Sequence, residues 1–190
     1  PELLAAELNK KTWEASPVGM SGDTDCYQPG ERKFRITRGC LEVFLKFRNP
    51  VYIITKNALV QRDIDLLKEL ASMNLSHVVM SITSLKPEIT TVMEPRTARP
   101  QRRLDTVSRL RDNGIPVSVN VAPIIPGLTD EEVPSILKAA KEAGATSAAM
   151  TLVRLPWQNK ELFIEWARRE FPDRADKILN RITDIHGGQL

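Results

Sequence analysis

Apolar residues along this chain follow two rhythms. At Val117, Val119 and Val121 they alternate with small or polar residues, while Val51-Tyr52-Ile53-Ile54 runs apolar before a polar end at Thr55 and Lys56. Alternation marks a half-buried strand, and a short β-branched run marks a buried one. Elsewhere the spacing is three to four: Leu3, Leu4 and Leu8, then Leu41, Phe44 and Leu45, then Ile64, Leu67 and Leu70. Those sets line single helical faces.

Read in order, the pattern predicts a helix end over residues 1–12, a short strand over Val18–Ser21 and a polar loop from Gly22 to Pro29. A helix over Glu31–Phe47 follows, broken by Asn49-Pro50. Next come a strand over Val51–Lys56, a helix over Ile64–Met73, a strand over His77–Thr83 and a long loop from Leu85 to Pro100. A helix over Gln101–Asn113 ends at Gly114, and a strand over Pro116–Ala122 then bends away on Pro123 and Pro126. Thr129 with Glu132 three residues on has the form of a capping box for a helix over Val133–Ala143, closed by Gly144. A fifth strand over Ser147–Val153 and helices over Lys160–Glu170 and Asp173–Ile185 lead to the tail His186-Gly187-Gly188-Gln189-Leu190.

Strand starts fall near residues 18, 51, 78, 117 and 147, roughly the 30-residue interval of a βα unit. Strands alternating with helices predict an α/β domain with a parallel sheet and right-handed crossovers. The apolar run at 51–54 predicts that both sheet faces are covered. An eight-stranded barrel needs about 250 residues, so residues 1–190 are read as a single domain, either a partial (β/α) TIM-like barrel or an open doubly wound sheet.

Composition narrows the function only by exclusion. Hydrophobic residues make up 42% and charged residues 27%, enough for a core in a water-soluble chain. No run of about 18 apolar residues exists to span a membrane. A net charge of +3 is too small to argue for nucleic acid. Cys26 and Cys40 make no disulfide framework and point to reduced thiols in the cytoplasm. The chain opens on what reads as mid-helix with neither initiator Met nor signal peptide, so a fragment of a longer protein is expected.

Polar groups gather just past the strands: Asp23, Thr24 and Asp25; Lys56 and Asn57; Ser81 and Thr83; Asn120; Arg154. In α/β sheets ligands sit at this edge. A half-buried Lys56 needs an anion, and Asp25 suits an ammonium. One ligand carrying both an amine and a carboxylate would serve the pair. Arg96, Arg99, Arg102 and Arg103 put four arginines within eight positions, as a carboxylate or phosphate clamp, a nucleic-acid contact, or a solvated loop and helix start. There is no dinucleotide or Walker loop, and neither His77 nor His186 has a metal-spaced partner. Trp13, Trp157 and Trp166 are read as packing residues.

Taken together, Gly22-Asp23-Thr24-Asp25-Cys26-Tyr27-Gln28-Pro29, Ile54-Thr55-Lys56, Ser81-Ile82-Thr83, Met93-Glu94-Pro95-Arg96 and Val121-Ala122-Pro123-Ile124-Ile125-Pro126-Gly127 come in one order at barrel spacing. They resemble the radical S-adenosylmethionine (SAM) superfamily, in the branch near spore photoproduct lyase and its bacterial relatives. The resemblance implies a partial (β/α)6 barrel with SAM across the strand ends and a [4Fe–4S] cluster that cleaves it reductively to a 5′-deoxyadenosyl radical. By match, Thr24 and Asp25 would hold the SAM amine, Lys56 and Arg96 its carboxylate, and Ser81 the ribose or carboxylate. Ala122, Ile124 and Ile125 would line the adenine. The chain departs from the family at Pro123, in place of a glycine, and at Asp130, in place of a glutamate. The family's C-x-x-x-C-x-x-C cluster loop is not in this sequence, and Cys26 and Cys40 cannot replace three converging thiolates. The resemblance therefore implies a fragment, inactive by itself, of a lyase- or oxidoreductase-like enzyme of unknown substrate. Kinship to a DNA-repair lyase makes nucleic acid a candidate, which the charge does not support independently. The alternative is a non-catalytic α/β module binding a ligand or partner, self-associating through an exposed sheet edge.

Overall fold

The computed structural model describes residues 1–188. The last two residues of the expected tail lie outside them. The chain runs α1 (Glu2–Leu8), β1 (Val18–Met20), α2 (Glu31–Phe34), α3 (Ile36–Phe47), β2 (Val51–Thr55), α4 (Ile64–Ser72) and β3 (Ser76–Ser81). It continues through α5 (Pro87–Met93), α6 (Pro100–Asp112), β4 (Val117–Ile124), α7 (Val133–Ala143), β5 (Ser147–Leu152), α8 (Gln158–Glu170) and α9 (Ala175–Ile185). The five strands form one parallel sheet in the order β1-β2-β3-β4-β5. That order never reverses, as a doubly wound sheet must. Successive crossovers of one hand then place their helices on one face, and the architecture is a partial barrel.

Register shows which face the helices take. Ile53 pairs with Val78 and Thr55 with Met80, and Val78 pairs with Val117 and Met80 with Val119. Of these, Ile53, Val78, Met80, Val117 and Val119 share a core with Leu41 and Phe44 of α3, Leu67 and Leu70 of α4, Val107 and Leu110 of α6, and Ile136 and Ala140 of α7. Each such fully buried aliphatic side chain contributes about 1.5–3 kcal/mol over leaving it in water. The opposite face carries Tyr52, Ile54, His77, Val79, Ser81, Ser118 and Asn120. Coverage of both faces does not hold there: Tyr52 is 39% exposed, Ile54 and Val79 are partly exposed, and β5 is exposed along its whole length, Met150 at 69%. The inner face of an incompletely closed barrel looks into its own concavity, and among the described residues no helix covers it.

Other expectations fail locally for nameable reasons. The helix over Glu31–Phe47 is split at Arg35, whose φ of 50° is left-handed. The buried Glu31 carboxylate accepts from Thr37 N and Arg62, and so holds the break. The loop from Leu85 to Pro100 contains α5, which starts on Pro87, where a missing N–H costs a helix nothing. Strand β4 runs past Ala122, with an irregular register after Val121 and pairing resumed at Ile124 with Leu152. The capping box does not form. Thr129 Oγ1 accepts from Ile125 N, while Glu132 accepts from Ser84 Oγ and Leu85 N, tying the loop after β3 to α7. Gly127, at φ 82°, and Gly144, at φ 100°, make the left-handed turns expected of them.

Helices α8 and α9 form a second small core over the end of β4, with Phe163, Trp166 and Phe171 against Ile125, Leu128, Val153, Ile178 and Ile182. Trp13 packs as expected and donates to Asn49 Oδ1. Trp157 does not pack: it is 93% exposed.

Candidate functional site

The loop after β1 is tied to the end of β2 by one carboxylate. Asp25 accepts from Tyr27 N at 2.9 Å, from Thr55 Oγ1 at 2.8 Å and from Lys56 N at 2.8 Å. Thr55 Oγ1 also reaches the second carboxylate oxygen at 3.0 Å, so each oxygen has two contacts, and all three donors are neutral. No cation pairs with Asp25 among the described residues. Tyr27 anchors the same loop by donating to the buried Asp63, which also takes Arg38 and Arg62. Burial and the Asp63 charge both push the Tyr27 hydroxyl pKa up, so it stays a donor.

Lys56, at the tip of β2, is 29% exposed and ion-paired with Glu94. Glu94, 6% exposed, also pairs with Arg103, whose side chain is 1% exposed. Arg103 further donates to Ala98 O, Ser81 O and Thr97 Oγ1. Burial would raise the Glu94 carboxyl, but the charges of Arg103 and Lys56 prevail and hold it below the usual carboxylate range. Two cations and one anion leave this triad one positive charge in excess, at its solvent-facing Lys56 end.

A groove of about 290 Å³ lies between these groups, lined by Ser21, Thr24, Asp25, Ile54, Lys56 and Ser81 among others. The structure therefore brings together Thr24, Asp25, Lys56 and Ser81 of the expected site. It does not bring the others there. Arg96 lines a separate pocket with Arg32 and Arg102. Ile124 packs into the main core, and Ile125 faces an apolar cavity of about 270 Å³ with Met93, Pro123, Val153, Phe163 and Trp166. Ala122 is partly exposed two residues beyond Asn120. Near the ends of β3 and β4, Thr83 Oγ1 and Asn120 Oδ1 are buried without a hydrogen-bond partner among the described residues. Such orphaned oxygens fit a ligand bearing hydroxyl or amino donors.

The sequence placed Arg103 in the four-arginine cluster and Glu94 in the Met93–Arg96 motif, but paired neither with Lys56. Arg103 is no solvated helix start. It stands with Val107 and Leu110 at i, i+4 and i+7, the buried face of α6, and that spacing was the available signal. Its neighbour Arg102 turns outward.

An iron–sulfur cluster finds no seat here. Among the described residues no three His, Cys, Asp or Glu side chains are grouped to hold a metal. Cys26 and Cys40 are free, and burial pushes the Cys26 thiol up to about 11, opposite to what a thiolate ligand needs.

Among the described residues no helix is long and apolar enough to cross a membrane. An uncharacterised protein of Mycobacterium tuberculosis strain H37Rv is 30% identical over 177 residues, 92% of this chain and 52% of its own. An uncharacterised protein of Methanocaldococcus jannaschii is 34% identical over 126 residues, 66% of this chain and 47% of its own. A protein named radical SAM Nalpha-GlyT isomerase, from Pseudomonas phage M6, is 22% identical over 171 residues, 89% of this chain and 35% of its own. The chain thus spans about half the length of the first two relatives. The sequence profile of the Radical SAM superfamily matches residues 4–140, from α1 through β4 into α7. With the parallel partial barrel and polar strand ends that accompany the match, the chain belongs to the radical SAM superfamily.

Proposed function

We propose that this chain supplies the SAM-binding strand ends of a radical SAM enzyme. One observation carries the reading. The groove sets an uncompensated negative charge at Asp25 beside the excess positive charge of the Lys56–Glu94–Arg103 triad, with hydroxyls at Thr24 and Ser81. The amino-acid end of SAM carries an ammonium and a carboxylate and complements that pair of charges. Asp25 takes the ammonium in place of the second, longer contact that Thr55 Oγ1 makes with it, and Lys56 takes the carboxylate. Thr24 and Ser81 donate or accept at the polar edges. The groove is at the small end for a drug-sized ligand, so it takes the amino-acid end, and the ribose and adenine lie toward Asn120, Ala122 and the apolar cavity at Ile125.

When bound, SAM would supply the radical chemistry of the superfamily, and Asp25, Lys56, Thr24 and Ser81 would hold its amino-acid end. The thiolates for the [4Fe–4S] cluster must come from outside these residues, so the chain alone binds SAM without cleaving it. The reduced Cys26 and Cys40 fit a cytoplasmic setting.

Titration calorimetry with SAM tests this. Saturable binding is expected, with L-methionine competing and its carboxyl-amidated form not. D25N and K56M should each weaken binding about tenfold, the loss of one charge-assisted contact of about 1.4 kcal/mol. Absence of saturable binding, or unchanged affinity in both variants, would replace the SAM reading with that of a non-catalytic ligand- or partner-binding module.

A further inference from the structure

We infer that the pocket lined by Arg32, Arg96 and Arg102 binds phosphoryl groups. Four segments build it: Arg32 from α2, Asn57 from the turn after β2, Arg96 and Thr97 from the loop before α6, and Arg102 from α6 itself, around about 380 Å³. No carboxylate lines it. The nearby acids in the network are already engaged: Glu31 with Arg62 and Thr37, Glu94 with Lys56 and Arg103, and Asp63 with Tyr27, Arg38 and Arg62. Arg32, Arg96 and Arg102, all exposed, make no ion pair or side-chain hydrogen bond among the described residues, although all three line one cavity. Three arginines bordering one cavity that no carboxylate lines leave an excess of positive charge there for an anion to offset.

The platform is held in place from beneath. The buried Arg103 grips Glu94, Thr97 Oγ1 and Ala98 O, so the loop bearing Arg96 is pinned on both sides of that residue. Ala98 N also donates to Lys56 O, which ties the loop to the tip of β2. The number of donors selects the ligand class. Three guanidinium groups engaged bidentately would use about six N–H donors, while one carboxylate has about four acceptor positions. A phosphoryl group has up to three strong acceptor oxygens and a charge near −2 as a monoester, and its geometry suits Arg forks. It could be carried by a small phosphorylated molecule or by a nucleic-acid strand. Phosphoryl binding in this pocket is independent of SAM binding in the groove.

The test uses the purified chain without SAM and two probes: pyrophosphate, by calorimetry, and a fluorescent 20-nucleotide single strand of mixed sequence, by anisotropy. Saturable binding of at least one probe is expected. In R96Q/R102Q that binding should weaken at least tenfold, while R109Q/R168Q, which removes the same charge from exposed positions elsewhere, should change it less than twofold. If the strand is the tighter ligand, three contacts predict a salt slope of about −2, hence about a twentyfold loss between 50 and 200 mM salt, and the double variant should lose most of that slope. Preference for pyrophosphate assigns the pocket to small phosphorylated molecules, and preference for the strand assigns it to nucleic acid. If neither probe binds, or if R96Q/R102Q matches R109Q/R168Q, the inference is overturned. Melting temperatures within about 2 °C of the unaltered chain confirm that the exposed substitutions leave the fold intact.

Discussion

Replacing Glu94 by Gln removes the one negative charge paired with Arg103 among the described residues, a side chain 1% exposed, and leaves the shape nearly unchanged. Breaking a buried pair by removing one partner costs about 3–5 kcal/mol, because the remaining charge is stranded away from water. Gln still offers an oxygen to Arg103, so the low end, about 3 kcal/mol, is expected. Lys56 adds little to the loss, since at 29% exposure it can turn to solvent. For a chain of this size each kcal/mol moves the melting temperature by about 2–4 °C, so E94Q should melt roughly 6–12 °C lower, measured by circular dichroism. R103M should also destabilise, by stranding Glu94 and the acceptors Ser81 O and Ala98 O. In E94Q/R103M the losses should fall short of additive by at least about 1 kcal/mol, because the second change removes a partner already stranded. The pH dependence has a definite sign. The Glu94 carboxyl lies below its ordinary range in the folded chain, so its contribution is complete above the unfolded value near 4.3 and is lost as pH falls through the lower folded value. E94Q should lack that acid-side loss. A melting shift under about 2 °C, or strictly additive single variants, would refute the buried triad.

Two further outcomes follow from burial elsewhere. With its thiol pushed up to about 11 from 9.0, Cys26 should react with iodoacetamide at pH 8 roughly a hundredfold more slowly than a free thiol, read by mass spectrometry of the labelled peptide; labelling at the free-thiol rate would contradict the packed loop. His77 donates to or accepts from Ser118 Oγ on the inner sheet face, and burial lowers its pKa. Below pH about 6.5 the unfolded chain takes up a proton that the folded chain resists, so stability in urea should fall as pH drops through that value. H77N should flatten that part of the curve, and an unchanged slope would place the effect on other groups.

The elements were legible because their causes are local. Strand periodicity at 117–121, the apolar run at 51–54 and the closing Gly144 each depend on neighbours in the chain, and all reappear within a few residues of where they were expected. The same local reading misplaced Thr129 and Glu132. Their spacing fits a capping box, but contacts with Ser84 and Leu85, 48 and 47 residues away, compete for the carboxylate and prevail.

For the site, the sequence by itself determined which polar residues stand at strand ends, since strand boundaries follow from alternation and each strand ends where its apolar run stops. Thr24, Asp25, Lys56 and Ser81 meet in one groove for that reason. Only the tertiary structure decided how their charges are balanced. It gave Asp25 three neutral partners and no cation, set Glu94 between Lys56 and Arg103, and turned Arg103 into the core while its neighbour Arg102 joined Arg32 and Arg96 in a pocket of its own. Consecutive helical residues point about 100° apart, and whether a cation is neutralised depends on carboxylates brought close by folding, which proximity in sequence does not specify.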